Sequence, residues 1–326
     1  MKVFKSIKEI IRGAVRTAKK VDCNKGYRIV IFFDAIYCKI KYHASFSEYN
    51  FFSFYNYKNL YRKNFLLGYH VQNDYKKINI LRFAKSKYSF SLKIPGYYSR
   101  DAILTSISGE DGFVAFAKKH GKIVVKPDMG AFGRDIEMFS YVDDEQSRKY
   151  YAGFSEDMIC EEYICQHDKM NEMNSHSVNS LRIVSFLNQG EVSIIAAALR
   201  TGSKQGVMVD NMCSSGIAAQ IEIPTGIVST HGYDANMKMY IKHPLSGVQF
   251  LGFNIPNWNE AVQRVKEAHK LIPECGLLGW DIAITKTGIE VIEANDCPGI
   301  RTMQMCDLKP KGKEVLSVIR KIKKKK

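Results

Sequence analysis

Apolar residues recur at helical spacing through residues 2–20, where Val3/Phe4, Ile7, Ile10/Ile11, Ala14/Val15 and Ala18 form one stripe and Lys2, Lys5, Lys8, Arg12, Arg16 and Lys19 fill the remainder. This pattern predicts a basic amphipathic helix. Such a helix either docks its stripe on the protein's own core or lies on an anionic membrane. Residues 27–84 are rich in aromatics, lysine and asparagine, and Ser45 to Leu67 reads as helical. After about residue 88 the texture changes. A Pro95-Gly96 turn precedes a helix near 109–120, followed by strands at 123–126, 136–142 and 158–164, with a helix at 143–151 between the last two. Segments 181–187, 192–200 and 217–223 read as antiparallel strands. A helix is expected at 259–272, with Asn257 and Glu260 in a capping-box-like arrangement. Strands 279–285 and 289–295 close the pattern as a hairpin, and no internal repeat is present.

The hairpin carries the strongest chemical signal. A turn at Lys286-Thr287-Gly288 sets Thr285 opposite Ile289, and counting back pairs Asp281 with Glu293. Asn295 shares the face of Glu293 because strand side chains alternate. Two facing carboxylates destabilise a sheet unless a cation neutralises them, and oxygen ligands of this kind suit Mg²⁺. The competing interpretation is an ordinary hairpin with two exposed acids.

Three further clusters are weaker alone. Lys126 closes the strand Ile123–Val125 and is followed by Pro127-Asp-Met-Gly-Ala-Phe-Gly-Arg134, so Gly130 and Gly133 would let backbone N–H groups approach phosphate oxygens beside the lysine charge. Many strand–turn–strand units share that pattern. Glu161-Glu162-Tyr163-Ile164 ends a strand whose edge could serve a purine amine, or any solvent-facing edge. Arg182 and Arg200 fall on predicted sheet strands, upstream of Asp210-Asn211. Paired arginine forks suit an acyl-phosphate site and equally suit structural ion pairs.

Length and charge bound the rest. At 326 residues the chain exceeds one compact domain. The net charge of +15 is uneven: residues 1–100 carry 21 Lys/Arg against 5 Asp/Glu, residues 309–326 carry 9 against 1, and residues 101–308 carry 18 against 27. An acidic centre argues against a nucleic-acid groove, and the basic ends suit an anionic surface or simple solvation. The eight cysteines show neither C-x-x-C pairs nor zinc-ligand spacing, as expected for reduced thiols. With no apolar run of membrane-spanning length and no signal peptide, the chain is expected in the cytoplasm, free or peripheral at the inner face of the membrane.

In this order the motifs resemble the ATP-grasp superfamily over roughly residues 85–308. Ser86-Lys87-Tyr88 is similar to the segment of biotin carboxylase relatives whose lysine contacts ATP phosphates, with Ser86 where aspartate is usual. Val124-Val-Lys126-Pro resembles the second ATP-binding lysine, and Met129–Arg134 the glycine-rich lid. Cys160-Glu-Glu-Tyr-Ile164 is similar to the adenine hinge, which implies a carboxylate contact from Glu161 and backbone contacts from Glu162, Tyr163 and Ile164. The run through Arg182, Arg200 and Asn211 resembles ribosomal-protein glutamate ligases, where such residues line the phosphate and acceptor region. Gly279-Trp-Asp281 through Glu293-Ala-Asn295 looks like the metal-binding end. Together with an aromatic N-terminal region, these elements are closest to the sugar-transfer-associated ATP-grasp group.

The resemblance implies an α+β (α/β) ATP-grasp fold with nucleotide between two antiparallel sheets. The implied regions are a basic N-terminal part (1–85), a lid subdomain (86–165), a large subdomain with the metal site (166–308) and a basic tail (309–326). The implied cofactors are ATP and Mg²⁺, with Mn²⁺ as substitute. The implied activity joins an amine to a carboxylate through an acylphosphate, one substrate being a sugar or uronic acid of a surface polysaccharide; the alternative is a kinase acting on a hydroxyl. The basic ends would meet an anionic membrane or a lipid-linked glycan.

Overall fold

A computed structural model describes residues 2–56, 62–70, 86–130, 135–205, 216–299, 304 and 309–323. The chain forms two compact units, Met1–Ile78 with Gly299–Lys326, and Asn79–Pro298.

The described residues of the first unit are mainly helical. α1 (Lys2–Lys20) follows the predicted apolar spacing. α2 (Lys25–Tyr42) starts at Asn24, whose side chain accepts the Tyr27 N–H at 2.8 Å, and stops at His43 in the left-handed conformation. α3 (Phe46–Phe51) starts with a reciprocal capping box between Ser45 and Glu48. The C-terminal half of α1 docks on this unit's own core through Ala14, Thr17 and Ala18, and Val21 just beyond the helix is buried with them. Gly13 lies so close to Phe46 that a Cβ there would fall 2.4 Å from the ring.

The helix expected over 45–67 is broken. Ser53 has φ 50° and leads into a single 3-10 turn at Phe54–Asn56. Phe51, Phe52, Phe54 and Phe65 are buried with their rings in mutual contact, so aromatic packing overrides helical continuity there. A C-terminal helix, Gly312–Lys323, completes the unit; its Gly312 N–H donates to the Asn64 carbonyl at 2.7 Å, and Val315 and Ile319 are buried. Lys323 ends that helix, and 324–326 lie outside the described residues.

The second unit holds α4 (Lys87–Lys93), β1 (Ala102–Leu104), α5 (Thr105–His120), β2 (Lys122–Pro127), β3 (Glu137–Ser140), α6 (Asp144–Tyr151) and β4 (Met158–Glu162). The strands form an antiparallel sheet in the order β1-β4-β2-β3. Gly109, at φ 65° and ψ −174°, breaks α5, so its regular part begins where the sequence pattern places it. Phe113, Phe116 and Ala117 of α5 pack on Ile123, Val125, Phe139 and Cys160. Alternation therefore turns Val124 and Lys126 to the opposite face.

α7 (Asp168–Met173), β5 (Ser180–Asn188), β6 (Glu191–Thr201), β7 (Ile217–Gln220), β8 (Gly232–Tyr233), β9 (Met239–Tyr240), α8 (Trp258–Lys270), β10 (Leu277–Ile284) and β11 (Ile289–Asn295) follow. Seven strands pair antiparallel in the order β11-β10-β5-β6-β7-β8-β9. One face packs Leu181, Ile183, Ala197, Leu199, Trp280 and Ile282 against Ala261, Val265 and Ala268 of α8. The opposite face carries Arg182, Ala198, Arg200, Gln220, Asp281, Glu293 and Asn295, by pairing and alternation. The predicted cap of α8 is not formed: Asn257 is left-handed at φ 51° and makes no side-chain cap bond.

A buried polar chain ties α8 to the large sheet. Trp280 Nε1 donates to Ser185 Oγ at 2.7 Å, Ser185 Oγ lies 2.6 Å from His269 Nδ1, and His269 Nε2 lies 2.9 Å from the Cys275 carbonyl. The carbonyl only accepts, so Nε2 carries the proton and Nδ1 accepts from the serine. Burial pushes the His269 imidazole down from 6.5 to about 4. Between those values the unfolded chain binds a proton that the folded chain does not, so stability falls as pH drops through the window. The loss is expected to reach on the order of 3 kcal/mol by pH ~4. Urea unfolding of the native protein and of His269→Gln across that range checks this; the variant should lack this part of the slope.

Candidate active site

Two sheet faces contribute charged side chains to one place. On the large sheet, pairing sets Glu293, Asp281, Arg182, Ala198 and Gln220 in one row across five strands. Asp281 faces Glu293 as predicted, but by a different route. The hairpin turn is one residue longer than expected, with Ile284 rather than Thr285 opposite Ile289, and a bulge between Asp281 and Ile282 restores the pairing. A bulge on the partner strand takes up one residue, which compensates for the turn. Asn295 lies on the same face and donates from Nδ2 to Glu293 Oε1 at 3.0 Å.

Asp281 is buried and doubly paired. Arg182 clasps it bidentately, with Nε 2.6 Å from Oδ1 and Nη2 2.9 Å from Oδ2, and Arg200 Nη1 reaches Oδ1 at 3.0 Å. Burial alone would raise this carboxyl, but Arg182 and then Arg200 outweigh it and hold it down at about 2. Glu293 behaves oppositely: burial first, and the Asp281 charge second, push it up toward the protonated form. Two facing acids have thus been separated into an ionised member and one that resists ionisation.

On the small sheet, Lys126 Nζ lies 2.8 Å from Glu161 Oε2, and both groups are buried. Glu161 also receives Arg100 Nη2 at 3.0 Å and the Tyr98 hydroxyl. Burial would raise Glu161, yet Arg100 and then Lys126 bring it to about 2. The carboxylate predicted to meet a purine amine is therefore engaged by three side chains in this structure. Among the hinge residues, the Glu162 N–H donates to the Asp101 carbonyl at 2.9 Å. Beyond Tyr163 and Ile164 the chain joins the large sheet, where the Cys165 carbonyl accepts the Lys286 N–H and Gln166 bridges to Thr285.

Lys87, at the first turn of α4, donates to the carbonyls of Pro127, Asp128 and Gly130 at 2.6, 3.1 and 3.1 Å. It braces the backbone after β2 rather than extending outward. Burial, then the Lys126 charge, lowers its pKa, while Glu293 acts in the other direction. Lys126 in turn counters the rise of Glu293. The charges of both sheets therefore act on one another across a single site. Gly133 and Asn211 lie outside the described residues.

Sequence reasoning missed Arg100, Tyr98 and Glu290. Arg100 is buried and spans both sheets: besides Glu161 on β4, it donates to Glu290 Oε1 at 2.6 Å and to the Val291 and Ile292 carbonyls of β11 at 2.8 and 3.3 Å. Its only local signal is one arginine after a Pro-Gly turn. Gln220 was also missed; among the described residues its buried Oε1 has no hydrogen-bond partner at the end of the charged row. Asn179 is structural, donating into a buried network with Gln166, Met170 and Asn174 that secures the approach to β5. Gly279 is needed for close approach, because a Cβ there would fall 2.7 Å from Pro298 Cβ, over which the chain folds back after β11.

Among the described residues no three His, Cys, Asp or Glu side chains gather as metal ligands; the set here is two carboxylates and one amide. That donor set still fits a hard, oxygen-seeking cation, since Glu293 is protonated more readily than usual and a cation can take the place of that proton.

Two antiparallel sheets with lysine on one and paired acids on the other define an ATP-grasp protein. The chain belongs to the sugar-transfer associated ATP-grasp family, whose model matches residues 79–323. No curated protein matches it. Among solved structures it is similar to the ATP-grasp ligase PsnB complexed with a minimal precursor, at 12% identity and TM-score 0.43, covering 72% of this chain and 60% of that one. It is also similar to D-cycloserine synthetase DcsG, at 12% identity and TM-score 0.44, over 75% of this chain and 71% of that one. D-alanine–D-alanine ligase from Bacillus anthracis shares 15% identity at TM-score 0.42, over 73% of this chain and 67% of that one.

Proposed function

We propose that this protein is an ATP-dependent carboxylate–amine ligase that works through an acylphosphate, joining an amino acid or amine to a sugar or uronic acid in surface polysaccharide biosynthesis. One observation supports this above the others: Lys126 of the small sheet and Glu293 of the large sheet, which itself faces Asp281, are close enough for their charges to act on one another.

Lys126 would meet the nucleotide phosphates as a point charge, oriented by Glu161. Lys87 would hold the Pro127–Gly130 backbone in position beneath them. Adenine would lie where the chain passes from one sheet to the other at Glu162–Ile164. Asp281, Glu293 and Asn295 would hold Mg²⁺, or Mn²⁺ in its place, and that ion offsets phosphate charge during phosphoryl transfer. Arg182 and Arg200, both in contact with Asp281, would stabilise the oxyanion formed when the amine attacks the acylphosphate carbon; the phosphate then leaves. Asn211 would line the acceptor side. The basic ends stand outside this chemistry and would meet an anionic surface, a lipid-linked glycan or the membrane.

Amino acids and amines screened against uronic acids and nucleotide sugars with MgATP test the proposal. Phosphate release is expected only when acid and amine are both present, with a product whose mass equals their sum less water. Transfer of a phosphoryl group to a single hydroxyl acceptor would overturn it in favour of a kinase.

A further inference from the structure

Helix α2 is apolar on the side it shows to solvent. Ile31, Ala35 and Cys38 face inward and are buried. At 3.6 residues per turn, Ile29, Phe33 and Ile40 fall within about 40° of one another on the opposite side, and they are 61%, 64% and 69% exposed. Val30 and Tyr37 flank them, also exposed. A helix apolar all round is ordinarily buried, and a continuous exposed apolar stripe marks a surface that something covers.

The charge around this stripe indicates what covers it. Residues 1–45 carry 11 Lys/Arg against 3 Asp/Glu. Lys8, Arg12, Arg16 and Lys19 are exposed on α1, which packs against α2. At the C-terminal end of α2 a hollow of about 150 Å³ is lined by Lys41, Lys63, His43 and His70 together with Tyr42, Phe65, Leu67 and Arg62, the last paired with Asp34. A second copy docking through this face would set the net +8 of its own residues 1–45 against the same charge here, which is unfavourable. An acyl-chain boundary beneath anionic headgroups satisfies both the apolar stripe and its basic surround.

We infer that α2 is the membrane-insertion element: its Ile29–Phe33–Ile40 face enters the interface of an anionic bilayer and the surrounding lysines and arginines hold the headgroups. This narrows the proposal for the basic ends and is independent of the ligase chemistry. Among the described residues no helix is long and apolar enough to cross a membrane, so the contact is peripheral.

The test is flotation of the full chain with vesicles of phosphatidylcholine alone and of phosphatidylcholine mixed with phosphatidylglycerol. The native protein should float with the anionic vesicles, less so at high salt, and remain behind with the neutral ones. The triple variant Ile29→Ser, Phe33→Ser, Ile40→Ser should lose roughly a hundredfold in binding. The variant Lys8→Gln, Arg12→Gln, Arg16→Gln, Lys19→Gln, with its apolar stripe intact, should also be retained poorly. ATP turnover and unfolding midpoints, measured on the same samples, should match the native protein, which separates failure of this inference from failure of the ligase proposal. Flotation unchanged by the serine substitutions, equal flotation with neutral vesicles, or a native dimer that the serine variant converts to monomer without any vesicle binding would each overturn it.

Discussion

Glu293→Gln is expected to abolish ATP turnover, by about a thousandfold or more, while leaving the fold as stable as before or slightly more so. The two halves of that result have separate causes. In the ligand-free protein Glu293 is pushed toward its protonated form by burial and by the Asp281 charge. Glutamine has nearly the shape of a protonated glutamate and removes an unfavourable charge, so the folded state loses nothing it relies on. What disappears is the second anionic oxygen ligand that the phosphate-bridging cation needs. Turnover with an accepted acid–amine pair and a urea midpoint measured together check the prediction. Unchanged turnover would reject the metal site, and a large drop in midpoint would show that the Glu293 charge is structural. The same change at Asp281 is less informative, because it also deprives Arg182 and Arg200 of their counter-charge.

The legible parts of this protein were those whose physics is local. Alternation along Gly279–Asn295 predicted a two-faced hairpin, and the facing of Asp281 with Glu293 follows from register. Even there the turn was read one residue short, and the bulge that corrects it has no marker in composition. The core face of the large sheet, through Leu181, Ile183, Trp280 and Ile282, obeys the same alternation. Tertiary packing defeated the local rules elsewhere. The phenylalanines between 51 and 65 have helical spacing, yet they pack on one another across a break at Ser53. Asn257 has the chemistry of a cap without its geometry. Glu161 and Lys87 could be singled out in the sequence, but not their partners. Those partners come from segments tens of residues away, and neither periodicity nor spacing encodes them.

Arg100 is the clearest case of such a hidden residue, and its replacement should have the largest effect on stability. Arg100→Met is expected to lower unfolding free energy by about 3–5 kcal/mol, the usual cost of leaving buried charges without a partner. Burial opposes the guanidinium charge, but Glu161, Tyr98 and Glu290 more than restore it, and the ring of Tyr98 covers its face at 3.9 Å. Removing it leaves Glu290 with Ser99 as its side-chain and amide partner among the described residues, and leaves the Val291 and Ile292 carbonyls without this donor. Arg100→Lys should rescue little, since one ammonium cannot span Glu161 on β4 and Glu290 with its neighbouring carbonyls on β11 as a planar fork does. Arg100→Met combined with Glu290→Gln should recover part of the loss, because one of the stranded charges goes with it. Denaturant unfolding of the three variants decides the matter. A midpoint for Arg100→Met within error of the native value would mean that the two sheets are held together by other contacts, and that Lys126 and Tyr98 suffice to keep Glu161 ionised.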